Sequence, residues 1–190
     1  MTDAYRFDES STEQAIAYAK IYAGENYSPA METVLKVAFS EKRNLPTFRL
    51  KSSDTILLSG YMKKWVGAYL AGYNNRPSVR TGNCSGTHPD PMAKTILRAR
   101  ISGLEDNLAD KIVARHSLLM TIENNIGELL EEYLSVKLSP LGWYCCWGST
   151  IDAVDFCKAD GSLLQIKTSD NSENRSSSRV RQGTPIGKWF

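Results

Sequence analysis

Three polar side chains toward the C-terminal end of the chain have types and a spacing that could carry chemistry. Gln165 and Lys167 are two residues apart in an apolar run, so on a strand they point to the same face. Asp155 lies on the strand predicted before it, close to the intervening turn. A carboxylate and an amide oxygen can bind Mg²⁺. An adjacent lysine can orient an attacking water, deprotonate it when the amine is neutral, and stabilise developing phosphate charge as the ammonium. These groups are the minimum set for hydrolysing a phosphodiester.

A fourth candidate, Glu131, lies on the helix predicted ahead of these strands, and a helix packed on a sheet presents about one residue per turn to it. The alternative is a structural hairpin, because Asp and Lys on hairpins are usually solvated and this spacing occurs by chance in many sequences. Lys167 favours a functional role, because it follows the apolar run from Leu163 to Ile166, where a surface lysine is less expected.

The strands that must position these side chains are predicted by three apolar runs after Pro140. The runs cover residues 143–147, 151–156 and 163–167. Between the last two, the Asp160-Gly161 pair is a strong signal for a hairpin turn. A β-meander is therefore expected to follow the helical part of the chain.

The first two thirds of the chain predict helices. Ser10, with Glu13 three positions on, is typical of a capping box. Ser28 followed by Pro29 is typical of a second helix start. Asp54 is predicted to open a third helix, whose aromatic side chains are expected in the core rather than in a ligand cage.

A long helix is predicted from Asp106 to about Leu138, with one interruption considered near residues 124–127. Its apolar positions at helical spacing are Ile112, Leu119, Ile122, Ile126, Leu130 and Leu134. A polar loop at residues 81–91 and a short helix ending near Ser102 precede it. The loop could contact a phosphate through its amides, although loops of this composition usually only turn the chain.

Composition excludes several classes of protein. With 190 residues, 42% hydrophobic and 23% charged, one ordinary domain is expected rather than disorder, and a formal charge of +2 does not by itself indicate a nucleic-acid partner. Two histidines leave little for chemistry built on a His cluster. The four cysteines, with Cys145 and Cys146 adjacent, are expected to be reduced and mostly buried. The polar N-terminus and the lack of a long apolar run predict a cytoplasmic protein.

The order of these elements resembles the PD-(D/E)xK nuclease superfamily. A helix with a glutamate is followed by a strand, a strand with an aspartate and a strand with a Gln-x-Lys pair. The residues at the superfamily's positions are Glu131, Asp155, Gln165 and Lys167. The fold class that follows is α/β (mixed α+β), with a helical N-terminal region, residues 1–105, packed on a PD-(D/E)xK-type core, residues 106–190. That core is expected to contain a helix, a three-stranded meander and a terminal helix, with the small β-sheet flanked by helices.

One long segment is similar to the SinI-type restriction endonucleases. It is LLQIKTSDNSENRSSSRVRQGTPIGKW, residues 163–189, and residues 81–93 and 123–134 look like the same family. The resemblance implies a type II restriction endonuclease that uses Mg²⁺ to cleave double-stranded DNA at GGWCC-like sites. It also implies a cognate DNA methyltransferase in the same system. A palindromic target implies a two-fold homodimer, because each protomer would cut one strand.

Three departures from the superfamily bear on activity. Gln165 stands where Asp or Glu is usual, so metal affinity is expected to be lower. Asp152 and Asp155 are three residues apart and are expected to face opposite sides of a strand, so only one of them can meet Gln165 and Lys167. Asp155 is preferred because Val154 and Phe156 bracket it as buried neighbours, and Asp152 is the alternative.

The third departure lies at the end of the chain. Residues 168–190 are expected to hold a loop and one helix but no fourth strand, which leaves the sheet edge unpaired or pairs it with another chain. A C-terminally truncated gene product with impaired activity therefore stays open. Two other functions stay open: a non-cleaving DNA-binding remnant of a restriction enzyme, and a helical interaction protein with a structural hairpin.

The polar segment after Lys167 is expected to contact DNA if the resemblance holds, and is otherwise a polar surface loop. Arg can bind guanine through two hydrogen bonds, Glu can accept from cytosine, and Ser and Asn can contact phosphates. The predicted DNA-binding residues are Asn171, Ser172, Glu173, Asn174, Arg175, Ser176, Arg179 and Arg181.

Overall fold

The structure is a computed structural model that describes Phe7 and residues 9–48, 57–80, 91–167 and 186–189. The described residues form five helices and four short strands. The helices are α1 (Thr12–Ala23), α2 (Pro29–Ser40), α3 (Leu58–Asn74), α4 (Pro91–Arg100) and α5 (Asp106–Leu138). The strands are β1 (Trp143–Cys145), β2 (Phe156–Lys158), β3 (Leu163–Ile166) and β4 (Ile186–Trp189). The predicted mixed α+β class is confirmed.

The starts of the first three helices agree with the sequence to different degrees. At α2 the Ser28 hydroxyl accepts a hydrogen bond from the Met31 N–H at 3.2 Å, as predicted for a helix cap. The prediction that Ser10 caps the first helix is wrong, because Ser10 lies within the 3₁₀ turn Glu9–Ser11 and α1 begins at Thr12. The N-cap position is Ser11, which has a helical backbone and makes no side-chain cap hydrogen bond. Helix α3 begins at Leu58, later than predicted; Asp54 lies outside the described residues.

The hydrophobic core lies between the first three helices and one face of the sheet. Tyr61, Trp65 and Tyr69 of α3 belong to it, as predicted, whereas the prediction is wrong for Tyr73, which is 44% exposed near the end of α3. The largest fully buried side chains of the helices are Trp65, Tyr61, Phe39, Met31, Leu35 and Met62. From the sheet side, Cys157, Leu163 and Ile186 pack into the same cluster. The helices therefore hold the sheet from one face.

The sheet has the order β1-β2-β3-β4. Strands β1, β2 and β3 form the predicted antiparallel meander, and the β2–β3 turn has Gly161 at φ +86°, where the Asp-Gly signal placed it. The prediction that the second strand begins at residue 151 is wrong, because β2 begins at Phe156. Ile151 and Val154 are buried in the preceding turns, so their apolar character reflects burial and not a strand.

The prediction that no fourth strand follows Lys167 is also wrong. Strand β4 pairs in parallel with β3, with Ile186 opposite Leu163 and Lys188 opposite Gln165. Four residues are enough to pair with the whole of β3 and to bury Ile186 in the core. The edge of β3 that was expected to be unpaired is covered by this chain itself.

The chain divides into two compact units. Unit 1 contains residues 1–76 and 131–190, and unit 2 contains residues 77–130. Helix α5 runs through residues 124–127 without the interruption considered there. This grouping differs from the division at residue 105, which stays a prediction. No helix in the described ranges is long and apolar enough to span a bilayer.

Candidate active site

The main chain of Asp155 is held on both sides, immediately before β2 begins. Its carbonyl oxygen accepts a hydrogen bond from the Cys146 N–H at 2.8 Å, and its own N–H donates to the Leu164 carbonyl at 3.0 Å. Asp155 is thus fixed between the end of β1 and the middle of β3. Its position follows from the sheet and not from a flexible loop.

The side chain of Asp155 reaches β3. Its Oδ2 accepts a hydrogen bond from the Ile166 N–H at 2.6 Å. The carboxylate thereby takes the place of the main-chain carbonyl that a neighbouring strand supplies in a regular sheet. Burial raises the pKa of Asp155, whereas this hydrogen bond and the positive charge of Lys167 lower it. The carboxylate therefore lies beside the residue that separates Gln165 from Lys167, and Lys167 is close enough for its charge to act on it.

Two helices anchor the turns that lead to Asp155. The Trp65 Nε1–H of α3 donates to the Thr150 carbonyl at 2.9 Å. The Asp152 N–H donates to the carbonyl of Asn44, just after α2, at 2.9 Å. Gly148, with φ +69°, packs so tightly on α3 that an added Cβ would overlap the main-chain oxygen of Ala68. The helical core thus determines where the predicted site aspartate lies.

Gln165 is buried, with 7% of its surface exposed, and its Oε1 has no hydrogen-bond partner in the described part of the chain. Leaving a buried acceptor unsatisfied costs roughly 1–3 kcal/mol, so such an atom calls for an explanation. By strand alternation Gln165 shares a face with Leu163 and Lys167. An oxygen that lacks a donor is free to bind a cation, which fits the predicted metal ligand.

Glu131 and Asp155 both act on the buried thiol of Cys145. Burial raises the pKa of this thiol, and the negative charges of Glu131 and Asp155 raise it further. Both carboxylates therefore lie in the neighbourhood of the last residue of β1. Glu131 and Asp155 thus lie near Cys145, and Lys167 lies near Asp155, whereas Gln165 precedes the residue that Asp155 binds on β3.

The remaining predictions concern Asp152, the cysteines and the segments expected to contact DNA. Asp152 is exposed and lies in a turn, so the assumption that Asp152 and Asp155 alternate along a strand is wrong. Cys145, Cys146 and Cys157 are free and buried, as predicted. The eight predicted DNA-binding residues of segment 171–181, together with Cys84, His88 and the loop at 81–90, lie outside the described residues. Within the described ranges no cluster of three His, Cys, Asp or Glu side chains is arranged to bind a metal.

Comparison with sequence models of protein families confirms the resemblance that the sequence predicts. The family model of the SinI restriction endonuclease matches residues 52–190, a range that includes every predicted site residue. The chain belongs to the SinI restriction endonuclease family. Two similar proteins are named type II restriction enzymes. SinI of Salmonella infantis is 44% identical to this chain over 109 residues, and Eco47I of Escherichia coli is 43% identical over 109 residues. Each match covers 55% of this chain and 47% of the relative, so the chain spans about half the length of these relatives.

Sequence reasoning missed the residues that hold the site of this SinI family chain in place. Trp65 was assigned to the core, correctly, but its hydrogen bond to Thr150 is a contact across the fold that no local pattern encodes. Asn44 is buried, and its side-chain Nδ2 donates a hydrogen bond to the Val37 carbonyl at 2.8 Å. Its main-chain carbonyl accepts the hydrogen bond from the Asp152 N–H. The one available signal was Gly148, since a glycine between apolar runs can mark a close main-chain approach.

Proposed function

We propose that this protein is a Mg²⁺-dependent type II restriction endonuclease with a PD-(D/E)xK-type site, which hydrolyses phosphodiesters of double-stranded DNA. The two relatives are named type II restriction enzymes. The observation that carries the proposal is the hydrogen bond from the Ile166 N–H to Asp155, because it holds a carboxylate beside the Gln-x-Lys pair of β3. In the proposed site Asp155, Gln165 and Lys167 would have different chemical roles.

The donor set fits a small divalent cation. The carboxylate of Asp155 and the unpartnered Oε1 of Gln165 are hard oxygen ligands of the kind that Mg²⁺ prefers, and Glu131 adds negative charge nearby. When bound, the cation would polarise the phosphate and lower the pKa of an attacking water. Because an amide carries no charge, we expect weaker metal binding than with a second carboxylate at position 165.

Lys167 has the role of positioning water. It directly follows β3, and its charge acts on Asp155. As an ammonium, Lys167 can orient the attacking water and offset charge that develops on the phosphate, whereas only its neutral amine form could take the proton of that water. Glu131 would assist through the metal or its water shell.

Segment 171–181 would read the DNA, since it follows Lys167 in the chain and carries Arg, Glu, Asn and Ser side chains. The target proposed from the family resemblance is a GGWCC-like site, cut in the cytoplasm by a two-fold homodimer. A methyltransferase of the same system would protect the host's own sites. Arg179→Ala is expected to reduce the preference for the cognate over a mutated site, measured as a ratio of two dissociation constants.

The deciding experiment incubates the purified protein with plasmid DNA that contains GGWCC sites, in Mg²⁺ or in EDTA, and maps the ends by sequencing. We expect discrete cuts that depend on Mg²⁺. Lys167→Ala should lower the cleavage rate by at least about 100-fold while DNA binding persists. Lys158→Ala on β2 is the matched control, because Lys158 lies over the Trp143 ring and outside the site, and it should cleave normally.

Retained cleavage by Lys167→Ala would refute the assigned role. If the folded wild-type protein binds the plasmid without cutting it, the non-cleaving remnant becomes the better description. Gln165→Glu then tests the reason: restored cleavage identifies the missing carboxylate as the defect, and continued binding without cleavage supports the remnant.

A further inference from the structure

The last turns of α5 have to be held in place if Glu131 is to act at the candidate site. Helix α5 continues from unit 2 into unit 1, and unit 1 contains only its last part, from Glu131 to Leu138. Because the main-chain hydrogen bonds continue along the whole helix, α5 is a stiff rod. Glu131 therefore keeps its position in unit 1 only if other residues of unit 1 bind these last turns.

An ion pair between Arg76 and Glu132 makes such a connection. Nε of Arg76 lies 3.4 Å from Oε1 of Glu132, and the two side chains are only 24% and 16% exposed. Salt screens a partly buried pair less than a pair on the open surface. Arg76 is the last residue of unit 1 before the chain enters unit 2, and Glu132 is the second residue after the chain returns. The pair thus joins the two points at which the chain leaves and re-enters unit 1.

Contacts with Tyr73 at the end of α3 hold the guanidinium group of Arg76. Nη1 of Arg76 donates to the Tyr73 carbonyl at 2.6 Å, and Cζ lies 4.1 Å from the centre of the Tyr73 ring. The Tyr73 ring meets Trp147 edge-on, with the ring centres 5.9 Å apart. Trp147 precedes Gly148, whose main chain packs tightly on α3. Arg76 therefore connects α5 to the part of α3 that also positions the turns before Asp155.

The pair constrains Glu131 because Glu131 and Glu132 are neighbours on one helix. Successive residues are about 100° apart around the helix axis, so fixing Glu132 against Arg76 also fixes the direction of Glu131. The negative charge of Glu131 raises the pKa of the Cys145 thiol at the end of β1, which places this carboxylate on the sheet side of α5. Rotation of the last turns would move the carboxylate away from the end of β1.

We propose that Arg76 is a positioning residue of the candidate site, which pairs with Glu132 and so fixes the last turns of α5 with Glu131 beside the proposed metal ligands. This rests on the proposed function, in which Glu131 assists through the metal or its water shell. Arg76 acts through Glu131 and not on the metal or the DNA itself. Its loss is therefore expected to matter only while residue 131 carries a carboxylate.

The first test measures the dissociation constant for Mn²⁺ by electron paramagnetic resonance, without DNA and therefore without turnover. Glu131→Gln and Arg76→Gln should each weaken Mn²⁺ binding by about 10-fold. Removing a positive charge by itself favours a bound cation, so weaker binding by Arg76→Gln reports lost positioning. The double variant should bind Mn²⁺ no more weakly than Glu131→Gln alone, because the two residues act as one unit.

Lys36→Gln is the matched control. It also removes a positive charge and an ion pair, since Nζ of Lys36 lies 2.7 Å from Oε1 of Glu32 on α2, and it should bind Mn²⁺ at least as tightly as the wild-type protein. Unchanged affinity in Arg76→Gln, or losses that add in the double variant, would overturn the proposal for Arg76. If Glu131→Gln still binds Mn²⁺ more weakly, the proposed function stands. Unchanged affinity in Glu131→Gln contradicts both the role of Glu131 and this proposal, and a wild-type protein that binds no Mn²⁺ contradicts the metal-dependent function as well.

The second test needs no metal. Hydrogen exchange followed by mass spectrometry in EDTA should be at least about twofold faster over residues 131–138 in Arg76→Gln than in the wild-type protein, because these amides exchange through local opening that the ion pair opposes. Residues 29–40 of α2 should exchange at the wild-type rate. Unchanged exchange over residues 131–138 would show that Arg76 does not hold α5. Faster exchange in α2 as well would show a general loss of stability, and either result contradicts the proposal.

Discussion

Two regions of the chain have equally regular helical patterns and bury them to opposite extents. In unit 1, helices α1, α2 and α3 cover one another and one face of the sheet, and Leu35 is fully buried. In unit 2, α5 repeats its apolar residues just as strictly, yet Leu119 is 53% exposed. Periodicity therefore indicates which side chains share a face, whereas the covering surface depends on the rest of the fold or on a second chain.

The sharpest check of this difference is a pair of identical truncations. Leu35→Ala should lower the free energy of unfolding by about 2–5 kcal/mol, because it leaves a cavity in a packed core. Leu119→Ala should change it by no more than about 0.5 kcal/mol, because a side chain that is 53% exposed loses few packing contacts. Urea denaturation of both variants measures the contrast, and equal costs would mean that the monomer buries both faces.

A glycine pair tests whether close packing in unit 1 positions the site. Gly148→Ala should cost about 3 kcal/mol, since the new Cβ meets the Ala68 oxygen and the φ of +69° disfavours a side chain. Gly142→Ala is the control, because Gly142 has a similar φ of +78° but nothing within 4 Å of the added atom. It should cost about 1 kcal/mol. Similar melting temperatures for the two variants would show that the turn can move away from α3.

The tryptophan that anchors the turn before Asp155 gives a smaller effect. Trp65→Phe keeps most of the ring volume but removes the donor to the Thr150 carbonyl, leaving that buried oxygen unpaired. We expect a loss of about 1–3 kcal/mol in the free energy of unfolding. A denaturation curve that overlays that of the wild-type protein would show that this hydrogen bond does not hold the turn.

Local patterns predicted the helices, the meander and its Asp-Gly turn, because capping, periodicity and turn chemistry act over a few residues. The same locality explains the errors. The apolar residues Ile151 and Val154 were predicted to lie on a strand, but they are buried in turns. Strand β4 has four residues, which is too short for a sequence pattern to predict without its partner β3. The candidate site was predicted as a set of residue types. Its arrangement depends on contacts across the fold, such as Ile166 with Asp155 and Asn44 with Asp152, which no spacing reveals.

The smallest predicted effect contrasts a half-buried with an exposed aspartate of the same hairpin. Burial raises the pKa of Asp155, so its contribution to stability is present below the pKa of the unfolded chain and is lost as pH rises through the folded value. Asp155→Asn removes that charge and keeps an oxygen for the Ile166 N–H. In EDTA at pH 7 it should be at least as stable as the wild-type protein, with the difference shrinking toward about pH 4.

Asp160→Asn should give the opposite sign. The hydrogen bond from the Ser162 N–H lowers the pKa of Asp160, so its stabilisation is present at neutral pH and is lost as pH falls through the lowered value. Urea unfolding from pH 3 to pH 7 compares both variants with the wild-type protein. If Asp155→Asn is the less stable protein at pH 7 in EDTA, attraction to Lys167 outweighs burial of the carboxylate. The site would then be stabilised by its charges even without metal, and the pKa direction stated for Asp155 would be wrong.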